Sequence, residues 1–159
     1  MTAAAHAMTG AAIAAVVKKP KLAIPLAFIS HFICDALPHF GLGFKFGSQT
    51  MFLYLFMEGL VILSLGLFLY KKEVKNLKLL AICAFAAMSP DIAWLIYGLS
   101  GDQGNLAAMD PLSHFHYVIQ WGESRAGILF DIAWISLMLT IILNVSSKNS
   151  NPHNLPKPS

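Results

Sequence analysis

The run TMFLYLFMEGLVILSLGLFLY (50–70) decides the fold class. It is 21 residues long and carries one ionisable side chain, Glu58. A helix needs roughly 20 apolar residues to cross the hydrocarbon core of a bilayer. The run therefore reads as a transmembrane helix, and the rest of the chain agrees with it. Of the 159 residues, 57% are hydrophobic and 12% charged, against about 25% charged in a soluble domain. Charges spread this thinly between long apolar runs define a membrane composition.

Working outward, five more helical segments are expected. They cover 3–17, alanine-rich and short; 21–37, between Pro20 and Pro38; 77–98, which contains Met88-Ser89-Pro90-Asp91; 106–121, short and polar; and 124–145. The segment 106–121 reads as re-entrant, a geometry tolerated at membrane depth when packed inside protein or against water. The expected fold is an all-α polytopic transmembrane bundle of five spans plus this short re-entrant or sixth helix. It forms one domain, 1–145, followed by a disordered polar tail, 146–159. No β pattern, internal repeat or low-complexity tract is visible. Cys34 and Cys83 both lie in apolar runs and do not make a disulfide framework.

The lysines set the orientation. Lys18, Lys19 and Lys21 cluster in one turn, and Lys71, Lys72, Lys75 and Lys78 in another. Loop 38–49 has only Lys45, and loop 99–110 has no Lys or Arg. The positive-inside rule makes both lysine-rich turns cytoplasmic and the N-terminus non-cytoplasmic. The positive charges follow the first apolar stretch, which argues against a cleaved secretory signal. The expected location is the bacterial inner membrane.

Ionisable groups within spans are costly and mark function by default. This chain has His6, His31, Asp35, His39, Glu58, Asp91, His114, His116 and Asp131. With the orientation above, all nine fall in the non-cytoplasmic leaflet or at its edge, while the other halves of the helices are almost purely apolar. His31 and Asp35 are four apart and share a helix face. His39 continues the series, but Pro38 ends the helix before it. Imidazole and carboxylate together suit a divalent ion, zinc first among them. The expected ligands are His31, Asp35, Asp91 and His114, with His6 as the alternative. His114 and His116 are two apart and point different ways on a helix; His114 is taken as the ligand. Glu58 and Asp131 are expected as acid/base groups or as supports for the ligands.

Each residue also has a structural reading. His31 with Asp35, or Glu58 or Asp131 alone, could join helices by hydrogen bonds. Asp91 could bond backbone groups freed by Pro90. Asp110-Pro111 reads as a helix cap and first turn. Trp94, Trp121 and Trp134 read as interfacial belt and packing. The basic turns are too short for nucleic-acid binding, and no phosphate loop, CxxC pair or nucleophile elbow is present.

At HAMTG (6–10), SHFICDALPHFG (30–41), SPD (89–91) and SHFH (113–116), the chain resembles a family of small bacterial integral-membrane proteins described as membrane-bound metal-dependent hydrolases. The resemblance implies His6, Asp91 and His114 as metal-site residues. The chain departs from the family in two places. A second Asp two residues after Asp91 is missing, and SHFHY replaces the later His-rich motif. Either His31 and Asp35 supply the missing ligands or the site is altered. The expected function is metal-dependent hydrolysis of a lipid or lipid-linked substrate reached from the non-cytoplasmic leaflet, with membrane lipid as partner. Two other classes fit the same residues: a small ion or metal permease or proton relay, and a structural accessory subunit of a membrane complex. A permeation path needs polar residues through the full thickness, and interhelical glue needs polar groups that pair separately. The sequence does not fix the oligomeric state.

Overall fold

A computed structural model describes residues 1–41, 43, 45, 47–99, 110–120 and 122–148. Six helices follow one another: α1 (Ala3–Val17), α2 (Pro20–Asp35), α3 (Gln49–Lys71), α4 (Leu77–Leu99), α5 (Pro111–Ile119) and α6 (Gly127–Lys148). Three of them, α3, α4 and α6, are long and apolar enough to cross a membrane. The helices α1 and α2 have 15 and 16 residues, about 22–24 Å at 1.5 Å per residue, short of the roughly 30 Å hydrocarbon core. At nine residues, α5 is about 14 Å long and spans nothing by itself. The helix α6 extends three residues into the segment read as tail, and residues 149–159 lie outside the described residues, as do Asp102, most of loop 99–110, Trp121 and the side chain of Trp94.

The shortest apolar helix is the most buried. From Ala4 to Ala15 every residue of α1 except Ile13 is buried, and α2, α4 and α6 all pack on it, with a smaller contact from α3. Its sequence explains this. Alanine and glycine let neighbouring backbones approach, and close approach is what drives helix association where lipid competes for every apolar surface. Gly10 is the tightest point: a Cβ there would stand 2.2 Å from the carbonyl oxygen of Cys83 on α4. Ala23 and Ala27 on α2 and Ala87 on α4 are likewise fully buried.

The ends of the helices are closed locally. Thr2 caps α1 by accepting the Ala5 N–H (3.3 Å), and Lys18 ends α1 in the left-handed region (φ 58°) with its N–H on the Ala14 carbonyl. Only Lys18 and Lys19 separate α1 from α2, so the two helices run antiparallel. One feature was not legible as a β pattern. Two two-residue strands, β1 (His39–Phe40) and β2 (Glu123–Ser124), pair in parallel and tie the end of α2 to the start of α6. Gly127 makes room for this contact, since a Cβ there would lie 2.0 Å from the His39 carbonyl oxygen.

Candidate metal centre

The start of α1, the end of α2, the later turns of α4 and one face of α5 meet at one end of the bundle. The last two turns of α2 present His31 and Asp35 on the same face, and both side chains are fully buried. The Asp35 carboxylate is the hub. One oxygen, Oδ1, lies 2.9 Å from His6 Nε2 and 2.5 Å from the Met1 nitrogen. The other, Oδ2, lies 3.1 Å from His31 Nε2 and 2.6 Å from His116 Nε2.

In the motif Ser89-Pro90-Asp91 each residue has a separate role. Pro90 has no N–H to give the carbonyl four residues back, that of Ala86. The Ser89 hydroxyl donates to that carbonyl instead, at 2.8 Å. The next carbonyl, Ala87, accepts from His31 Nδ1 at 2.8 Å. Asp91 is thereby left to face the cluster, with Oδ1 3.7 Å from His31 Nε2 and 3.6 Å from His116 Nε2. It is the open member of the group, with a side chain 35% exposed.

On α5, Asp110 is the N-cap, accepting from Leu112 N (2.9 Å) and Ser113 N (3.1 Å), and Pro111 opens the helix. The Ser113 hydroxyl, at 2.5 Å, and then the Ser113 N–H hold the Asp110 carboxyl below its usual range. This phase buries Ser113 and His116 and exposes His114. His116, not His114, therefore joins the cluster. Gln120, one turn beyond His116, brings its amide to 3.0 Å from His116 Nε2 and 3.5 Å from Asp35 Oδ2. Sequence reading missed Gln120, although its i+4 spacing from His116 was the available signal.

One ligating atom from each of His31, Asp35, Asp91 and His116 lies within 4.8 Å of all the others. The donor set is that of a candidate metal site. The His31 Nδ1–H bond to Ala87 leaves Nε2 as a lone pair when the ring is neutral. That lone pair faces His116 Nε2 at 3.1 Å and two carboxylate oxygens. Two imidazole nitrogens and two carboxylates turn toward one point inside the helix bundle. The separations that involve His31 or His116 run from 2.6 to 3.7 Å, and the four ligand atoms together span up to 4.8 Å. These residues thus could hold a metal ion.

The other expected residues stand around this group. His6 is buried, stacks on His31 with centroids 4.1 Å apart, and meets the back of Asp35 rather than the shared point. Asp131 Oδ2 accepts the Thr2 N–H at 2.8 Å, and Glu58 Oε2 accepts the Ala4 N–H at 2.9 Å. Both carboxylates thus sit at the positive end of α1, where they satisfy amides that the helix itself cannot. His39 is buried, with its Nδ1–H donating to the Leu37 carbonyl at 2.7 Å, outside the cluster. Trp134 packs within the bundle and also bonds, its Nε1–H donating to Thr9 at 2.9 Å.

A cavity of about 440 Å³ opens beside Asp91, between α3 and α4. Gln120, His39 and Glu123 share its polar end, and the rest of its wall is mainly apolar.

No protein-family model matches the chain, no curated protein matches its sequence, and no solved structure matches it. The likeness to membrane-bound metal-dependent hydrolases rests on the short motifs alone.

Proposed function

We propose that this chain is a membrane-embedded, metal-dependent hydrolase that acts on a lipid or lipid-linked substrate from the non-cytoplasmic leaflet. The observation that carries the reading is the convergence of His31, Asp35, Asp91 and His116 at a point that opens, through Asp91, on the cavity between α3 and α4. A zinc-class ion held there supplies Lewis acidity toward an ester or phosphoester oxygen and acidifies water toward neutrality.

The chain's own residues divide the remaining work. Ala87 fixes the His31 ring, and His6 fixes Asp35 from behind. Asp91 is the carboxylate at the open side, placed to accept a proton from water entering from the cavity. In the hydrolysis proposed, water oxygen bonds to the acyl carbon or phosphorus, the bond to the leaving oxygen or nitrogen breaks, and that atom leaves with a proton from water. Glu58 and Asp131 hold the first turn of α1 in place beneath His6.

Two observations favour the substrate class and side. The cavity wall is mainly apolar and lies between two helices long enough to cross a membrane. The seven lysines of the 18–21 and 71–78 turns gather at the end of the bundle opposite the cluster, which the positive-inside rule puts in the cytoplasm.

Elemental analysis of detergent-purified protein tests the centre. Wild type and His114→Ala are expected to carry near-stoichiometric zinc or another transition metal. His31→Ala, Asp91→Ala and His116→Ala are expected to lose it. Wild-type protein that stays metal-free after metal addition would overturn the reading and bring the proton-relay class forward.

A further inference from the structure

We infer that the cleft between α3 and α4 is an acyl-chain site, which holds one chain of an acyl ester with the ester beside Asp91. The inference rests on the hydrolase reading and names its substrate class.

The cleft is lined by stripes on two facing helices. Phe85, Met88 and Leu95 contribute from α4 and Met51 and Leu55 from α3, at spacings of three, four and seven residues that keep each set on one face. From Phe85 to Asp91, beside which the ester would lie, the α4 wall runs about 9 Å at 1.5 Å per residue. A slot that is apolar and parallel to the helices matches a hydrocarbon chain lying along the bilayer normal. The volume falls within the range of about 300–1,000 Å³ usual for small-molecule sites.

The slot opens sideways. The helix α3 rests on the bundle chiefly through α1, not through α4. Leu55 and Phe85 line the slot yet stay 38% and 59% exposed, and on membrane-crossing helices that exposure faces hydrocarbon. A chain thus passes from bilayer to slot without crossing water.

The polar end receives the headgroup. Asp91 and Glu123 line it, and no Lys or Arg does among the described lining residues. Met1, whose ammonium group pairs with Asp35, lines the cleft as well, and a metal ion at the cluster would add positive charge there. Gln120 offers the headgroup an amide.

Native mass spectrometry of the full chain with 1-O-hexadecylglycerol tests this, because that ether has the chain and headgroup of a monoacylglycerol but no ester to cut. Wild type is expected to hold one molecule. Met88→Trp and Leu55→Trp, which fill the slot from either wall, should each weaken binding about tenfold, or about 1.4 kcal/mol. Leu60→Trp, on the α3 face turned toward α6, should bind as wild type does. If Met88→Trp fails to fold, Leu55→Trp carries the comparison. Metal content measured on the same samples separates the two readings. Ether bound without metal leaves the chain site standing and sinks the hydrolase. Metal bound without ether, ether binding unchanged in both slot variants, or equal loss in Leu60→Trp overturns the acyl-chain site.

Discussion

Which of two histidines two residues apart enters the site depends on the phase of a nine-residue helix, and periodicity over so short a segment does not fix a phase. The cap at Asp110 was legible in the sequence, and counting turns from it would have pointed to the face of Ser113 and His116. His31, Asp35 and Asp91 were legible because a charge in an apolar run stands out. Gln120 and Ser89 were not, since neither is ionisable, although the partners His116 and Ala86 lie four and three residues before them. Two predictions belong at this scale. Gly10→Leu forces α1 and α4 apart against the Cys83 carbonyl, and overpacking of that kind costs about 1–3 kcal/mol. It should appear as a lowered thermal midpoint in detergent. Glu58→Gln keeps an oxygen for the Ala4 N–H, whereas Glu58→Leu strands that amide at about 1–3 kcal/mol. Unfolding should therefore separate the two, with Gln near wild type. If Gln holds stability and metal but abolishes hydrolysis, Glu58 is an acid/base group as well as a support for α1.

At the scale of elements, helices were legible wherever a long apolar run ended at lysine or proline. The 3–17 helix agrees with its expected bounds, and the 77–98 helix ends one residue later. The second ends at Asp35 rather than 37, because β1 draws the chain from α2 toward β2. That pairing left no sequence trace: it consists of backbone bonds, such as His39 N–H to the Gly122 carbonyl at 3.2 Å, between segments over eighty residues apart. The start of α5 carries a pH prediction. The Asp110 carboxyl is held below its usual range by Ser113. A depressed folded-state pKa adds stability above the unfolded value and loses it as pH falls through the folded one. Protection of the Leu112 and Ser113 amides from hydrogen exchange should thus persist through the ordinary carboxylate range and fall only in stronger acid. Asp110→Asn, which caps without titrating, should give a protection that stays flat by comparison.

For the whole molecule, the separation of the polar cluster from the lysine turns predicts which faces label together. In a background with Cys34 and Cys83 replaced, Ser124→Cys should react with an impermeant maleimide from the non-cytoplasmic face, and Lys72→Cys only from the cytoplasmic face. Reaction of both from one side would remove the leaflet assignment while leaving the cluster intact. The buried position of α1 has a further consequence, for how the protein is made. Of the six helices α1 leaves the ribosome first, yet α2, α4 and α6 all contribute to its surroundings, and α6 emerges last. An alanine-rich segment of 15 residues has little grip on lipid by itself. Its membrane insertion is therefore coupled to helices not yet translated, and the centre that His6 supports closes only after synthesis has passed α5.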